Sequence, residues 1–195
     1  MTSPSDEDPV REYSPEEQQT LTKQLRAITA TLHRGELRHR ALDVALMKEL
    51  HRALFDGVRG HAGRMRESGF GSERLVFGPN RSSHRDAVRR ELEALSARVE
   101  RELRALGDGS AEDYELRAIR LAVRAHADIV RIHPFEDGNG RTGRLCAGHL
   151  LVRLGLRPVA IEAVKQEYTE ALNHYYEARD IEPLVDLYLR LYTIG

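Results

Sequence analysis

The chain has 195 residues, 41% hydrophobic and 31% charged, with a formal net charge of −1, which allows one well-buried core and an ordinary globular surface. Near-zero charge excludes a global electrostatic pull toward nucleic acid or anionic membrane, and no apolar run approaches the roughly 20 residues of a membrane-spanning helix. The lone Cys146 cannot form an internal disulfide, and the acidic opening Met1–Asp8 does not suit a secretory signal, so a cytoplasmic protein is expected.

Residues 1–13, polar and carrying Pro4 and Pro9, are expected to be a flexible tail, with 14–195 forming a single domain. Ser14-Pro15-Glu16-Glu17 predicts a helix start: Ser14 caps, Pro15 suits the first helical position and Glu17 completes a capping box. That helix should run to about His33 and stop at Gly35. Leu42, Leu46, Leu50 and Leu54 then mark a second helix by their i, i+4 spacing, ending near Asp56-Gly57. The Gly-rich stretch from Gly60 to Asn80 contains the best strand candidate, Arg74–Phe77, closed by Gly78-Pro79-Asn80, and predicts a short hairpin. Helical pattern resumes from about Ser83 to Leu106 and breaks at Gly107–Gly109.

Ser110 is expected to cap the next helix, whose core face is Leu116, Ile119, Val123 and Val130. It must end near His133, because Pro134 disfavours helical geometry in the residue before it. A polar loop reaches Gly140, and another helix is expected from about Arg141 to Gly155. Two amphipathic segments, near 162–178 and 183–193, close the chain. The sum is an all-α helical bundle with one small β-hairpin.

Of the 30 basic residues only Lys23, Lys48 and Lys165 are lysines, leaving 27 arginines. Most of these lie among acids on helix faces and are expected to be solvated surface charge.

One stretch concentrates chemistry: His133-Pro-Phe-Glu-Asp-Gly-Asn-Gly-Arg-Thr-Gly-Arg144. A helix N-terminus presents unpaired N–H groups and partial positive charge. Gly138, Asn139 and Gly140 can curl those N–H groups into an anion-binding nest. Arg141 and Arg144, three residues apart, reach one side of the helix. Asp137 beside the nest suits Mg²⁺, which takes few carboxylates and keeps its waters, and the His133 imidazole could accept a proton. These parts suffice for phosphoryl or nucleotidyl transfer. Outside the stretch, His126, His149 and Cys146 are expected to be packing residues, and Glu136 an exposed loop charge.

This segment resembles the Fic signature, His-x-Phe-x-(Asp/Glu)-Gly-Asn-Gly-Arg-x-x-Arg, and matches every specified position. Ile129–Ile132, Glu167–Leu172 and the region from Leu50-His51 to Gly63 resemble the same family, so the likeness spans about 35–193 and suggests a compact, toxin-like member. The resemblance implies the Fic fold and transfer of AMP from ATP, with Mg²⁺, to a Ser, Thr or Tyr hydroxyl of a target protein. It implies His133 as general base, Asp137 as the Mg²⁺ ligand, Gly138, Asn139 and Gly140 as the anion hole, and Arg144 on the γ-phosphate with Arg141 in support. A flap near 68–77 would pair with the target's extended backbone. The family's inhibitory motif ends in Glu followed by Gly or Asn, and no Glu in this chain is so followed, so a separate antitoxin-like inhibitor is expected.

Two alternatives stand beside this. Doc-type relatives phosphorylate their target, but usually lack the intact Gly-Asn-Gly found here at 138–140. A non-catalytic, nucleotide-binding or DNA-associated regulator would use the arginines, against which the absence of a basic stripe weighs.

Overall fold

The computed structural model describes residues 13–159 and 165–194, and its first helix, α1 (Pro15–His33), begins as the capping chemistry dictates. The Ser14 hydroxyl accepts the Glu17 N–H at 3.2 Å, and the Glu17 carboxylate accepts the Ser14 N–H at 2.9 Å. Helix α2 (Val44–Phe55) starts from Asp43, whose carboxylate accepts the Leu46 N–H at 2.7 Å. Leu46, Leu50 and Leu54 are buried on one face of α2, and Leu42 is buried in the turn before it.

The expected hairpin forms, but its ladder is shorter than the sequence predicts. Strand β1 (Val76–Phe77) pairs antiparallel with β2 (Asn80–Arg81), Phe77 opposite Asn80 and Val76 opposite Arg81. The regular ladder stops there because the Ser82 hydroxyl accepts the Leu75 N–H at 2.8 Å.

Helix α3 (Arg85–Leu106) is rich in Arg and Glu, yet its place is set by Val88, Leu92, Leu95, Val99 and Leu106, all buried. Each buried side chain of that kind contributes about 1.5–3 kcal/mol, against about 0–1 for a surface ion pair. Helix α4 (Tyr114–Ile132) is not capped by Ser110. The Ser110 N–H donates to the Asp108 carboxylate at 3.1 Å, the chain makes a further turn at Ala111–Tyr114, and Asp113 takes the cap position without a side-chain bond. Helix α5 (Asn139–Arg153) starts two residues before the expected Arg141. Helices α6 (Lys165–Ala178) and α7 (Glu182–Ile194) complete the bundle; the expected positions 1–12 and 162–164 lie outside the described residues.

Helix α4 is the centre, packed against α3, α5, α6 and α7. Small residues on it, Ala118, Ala122, Ala125 and Ala127, are buried, and α5 approaches so closely that a Cβ on Gly143 would stand 2.6 Å from His126 Cδ2. His126 packs as expected, its Nδ1 2.8 Å from the Tyr188 hydroxyl and Nε2 2.9 Å from the Tyr168 hydroxyl. His149 Nε2 donates to the Arg40 carbonyl at 3.1 Å. Cys146 is buried, and burial pushes its thiol up to about 12, so it is an inert core residue. Among the described residues no helix is long and apolar enough to cross a membrane.

Candidate active site

The packed end of α4 leads directly to the chemistry-bearing segment. With Pro134 next, His133 leaves the helical region for φ 56°, ψ 63°, while its N–H still donates to the Ile129 carbonyl at 2.9 Å. Its Nδ1–H donates to the Val130 carbonyl at 3.2 Å, which makes Nε2 the bare acceptor nitrogen. That Nε2 is buried and has no hydrogen-bond partner among the described residues. The Phe77 ring of the hairpin lies over the imidazole with centroids 4.0 Å apart. Burial, then the nearby Arg66 charge, pushes His133 down to about 3, so the ring is neutral near neutral pH.

The loop after His133 is moulded onto α2. Phe135 is fully buried and stacks on His51 with centroids 3.8 Å apart. His51 Nδ1 accepts the Gly63 N–H at 2.8 Å, so Nε2 carries the proton and donates to the Asp137 carbonyl at 3.0 Å. The Asn139 side chain clamps Phe135 from both sides, accepting its N–H and donating to its carbonyl, each at 2.9 Å. Gly138 sits at φ +76°, and a Cβ there would stand 2.1 Å from the Phe55 ring, so this position requires glycine for both backbone and space.

The predicted phosphate-binding residues gather at the start of α5. The Gly138 N–H donates to Asp137 Oδ1 at 2.6 Å. Residues 139–141 supply first-turn N–H groups, which have no acceptor within the helix. Arg141 lies over the rings of Tyr13 and Phe55 and donates to the Tyr13 hydroxyl at 3.0 Å. Arg144 lies over the Tyr168 ring, 5.3 Å from its centroid, with Gly140 beside it. Asp137 Oδ2 accepts the Tyr13 hydroxyl and stands 3.6 Å from Arg59 Nε.

Glu136 is not the free loop charge expected. Its carboxylate accepts both the N–H and the hydroxyl of Ser72, the latter at 3.0 Å, so it fastens the hairpin region to the loop. Among the described residues no cluster of three or more His, Cys, Asp or Glu could hold a metal ion. The donor set fits only a cation that takes one part-exposed carboxylate, Asp137, and draws its other oxygens from water and phosphate.

Sequence reasoning missed Tyr13, His51, Phe55, Arg59, Arg66 and Phe77. A signal existed for His51, a lone polar residue on the apolar face of α2 between Met47, Leu50 and Leu54. Arg59 and Arg66 are buried at 9% and 0% exposure, but one arginine among many gives no sign of burial. Tyr13 belongs to a stretch whose composition suggested only a tail.

The sequence model of the Fic/DOC family matches residues 41–151. Protein adenylyltransferase Fic of Drosophila melanogaster is 35% identical over 138 residues, covering 70% of this chain and 25% of that protein. The chain spans about a quarter or less of the length of the curated relatives it matches. Among solved structures, Fic-1 (residues 134–508) from C. elegans superposes with TM-score 0.71 at 24% identity, covering 100% of this chain and 52% of that one. BepC, a VirB-translocated effector from Bartonella tribocorum solved with bound AMPPNP, superposes with TM-score 0.69 at 18% identity, covering 89% and 86%. At these identities the two structures establish the fold.

Proposed function

Because the chain belongs to the Fic/DOC family, we propose that it is a protein adenylyltransferase, moving AMP from ATP to a Ser, Thr or Tyr hydroxyl of a target protein. The observation that carries this is His133 Nε2: a buried acceptor nitrogen with no hydrogen-bond partner among the described residues, beside a helix start suited to anions. The hydroxyl oxygen would bond to the α-phosphorus as the bond from that phosphorus to its bridging oxygen breaks. Pyrophosphate leaves, and the hydroxyl proton passes to Nε2. Burial and Arg66 keep His133 in the neutral, proton-accepting form, and an anionic polyphosphate alongside would raise its basicity.

The N–H groups of Asn139, Gly140 and Arg141, together with the Arg141 and Arg144 guanidiniums, would hold the phosphates. Asp137 would hold Mg²⁺, which when bound neutralises phosphate charge. The target would lie along the 68–77 flap as an added strand, where Val76 is 47% exposed. A fly relative carrying the name protein adenylyltransferase and an effector relative holding an ATP analogue support this reading. So does the complete Gly138-Asn139-Gly140, which favours AMP over phosphate. A separate antitoxin-like inhibitor is part of this reading, and the buried thiol of Cys146 suits a reducing cytoplasm.

The test is intact mass of the protein, and of host-lysate proteins, after incubation with ATP and Mg²⁺. A gain of one AMP that disappears with His133→Ala is the expected result, the substitution lowering the rate on the order of 10²–10⁴-fold. A gain of one phosphate would move the protein to the Doc-type reaction. Transfer unaffected by His133→Ala would remove this residue from the mechanism.

A further inference from the structure

The hairpin region and the catalytic loop share one tether. Arg66 is completely buried, and its five N–H donors all end on backbone carbonyls. Nε donates to His133 O at 2.8 Å; Nη1 donates to Ser72 O at 3.0 Å and Glu73 O at 3.4 Å; Nη2 donates to Ser83 O at 3.0 Å and Ile132 O at 3.2 Å. The Arg66 N–H adds a bond to the Pro134 carbonyl at 2.7 Å. Two of these carbonyls precede β1, one follows β2, and three belong to the end of α4 and the loop it enters. A planar fork fixed at five points leaves the joined segments little freedom relative to one another.

An arginine spent wholly on carbonyls is an unusual use of a charge. Desolvating a guanidinium is costly, and here every direct partner is a neutral carbonyl, with the Glu136 carboxylate helping only by charge from nearby. Core packing could be had with an apolar residue, so the structure here spends stability on geometry. The surroundings fit that purpose. Gly71, at φ +81°, passes so close that a Cβ would stand 2.4 Å from Glu136 Oε1 and 3.0 Å from Arg66 Cγ, and Phe77, carried by the same hairpin, covers the His133 ring.

We propose that Arg66 is a positioning residue that holds the flap and the backbone of His133 in one rigid frame, so that a hydroxyl presented on the flap meets Nε2 in register. This rests, for its functional half, on the transfer reaction proposed above. Arg66 is wholly buried and acts through the carbonyls it grips. A lysine keeps the charge but offers one point instead of a fork.

The test compares wild type with Arg66→Lys by two measurements. Hydrogen exchange of amides 70–83 should quicken while α2 and α5 keep their protection, and target modification at saturating ATP should fall on the order of 10²-fold with nucleotide affinity unchanged. A merely structural arginine would instead lower core protection, nucleotide affinity and transfer together, and that result overturns the proposal, as does an unchanged flap. Should Arg66→Lys fail to fold, Gly71→Ala, whose Cβ would meet Glu136 Oε1 and the stem of Arg66 at Cγ, displaces the same part-buried turn from the residues that hold it, and unchanged exchange and transfer there overturn the proposal equally. If the wild type modifies no protein, the transfer reaction is what fails, while flap exchange still decides whether Arg66 is the tether.

Discussion

The Tyr13 hydroxyl donates to the Asp137 carboxylate across 124 residues of sequence. Its ring lies between the guanidiniums of Arg59 and Arg141, 4.2 and 4.8 Å from the ring centroid. Arg59 is itself held by Glu17, the capping-box residue of α1, at 2.8 Å. The start of α1 therefore reaches the carboxylate proposed to take the cation and one of the cations proposed to take phosphate. A donor on Oδ2 competes with a metal ion for the same oxygen.

Tyr13→Phe should therefore tighten Mg²⁺ dependence. The phenyl ring keeps its place between the two arginines, while a hydrogen bond of about 1 kcal/mol is lost from Asp137. The Mg²⁺ concentration giving half-maximal transfer should fall by roughly fivefold, the equivalent of that energy. A rise instead would mean that the phenol orients Asp137 rather than competing for it.

Gly138→Ala should damage the loop rather than the bundle. The added Cβ meets the Phe55 ring at 2.1 Å in a backbone conformation that side chains disfavour. The strain, about 1–3 kcal/mol for such a backbone before the clash is added, should lower the urea midpoint and abolish ATP binding measured by calorimetry. Stability and ATP affinity like those of the wild type would show that the loop is not moulded on α2 as described.

Asn139→Ala tests the clamp on Phe135. It strands a buried N–H and a buried carbonyl, each costing about 1–3 kcal/mol unsatisfied. Denaturant unfolding should show a loss on the order of 2–4 kcal/mol, and Asn139→Asp, which can accept but not donate when ionised, should recover only part of it. Equal stability of Asn139→Ala and wild type would remove the clamp from the account.

Acid should unfold the protein earlier than a surface-histidine protein of this size. Burial pushes His51 to about 4, His126 to about 3, His133 to about 3 and His149 to about 4, all below their ordinary 6.5. The unfolded chain then binds more protons than the folded one between roughly pH 6.5 and 4, so stability rises with pH across that window. Each such histidine contributes a slope approaching about 1.4 kcal/mol per pH unit. Urea midpoints should be flat above pH 7 and fall steeply from pH 6.5 to 4; a flat profile through pH 5 would contradict the buried, neutral state of these rings.

The sequence by itself determined the helices, because apolar spacing, the Ser14–Glu17 capping box and the Gly and Pro stops act within a turn or two of the residues that cause them. The candidate site was legible as one short segment, since His133, Asp137, Arg141 and Arg144 lie close in sequence, with Pro134 and Gly138 bending the backbone there; the packing of Phe135 and Gly138 against α2 was not legible. Ser110 misled because the chain makes a further turn at Ala111–Tyr114, which leaves Asp113 rather than Ser110 at the helix start. What only the tertiary structure decided are the partners brought from afar: Tyr13 on Asp137, His51 on the Asp137 carbonyl, Ser72 on Glu136 and Arg66 on His133. These depend on which helix faces meet and on which polar groups lose water when they do. No residue's type or spacing distinguishes Arg66, buried on five carbonyls, from the arginines left in solvent; only the packing of the hairpin against the end of α4 makes that difference.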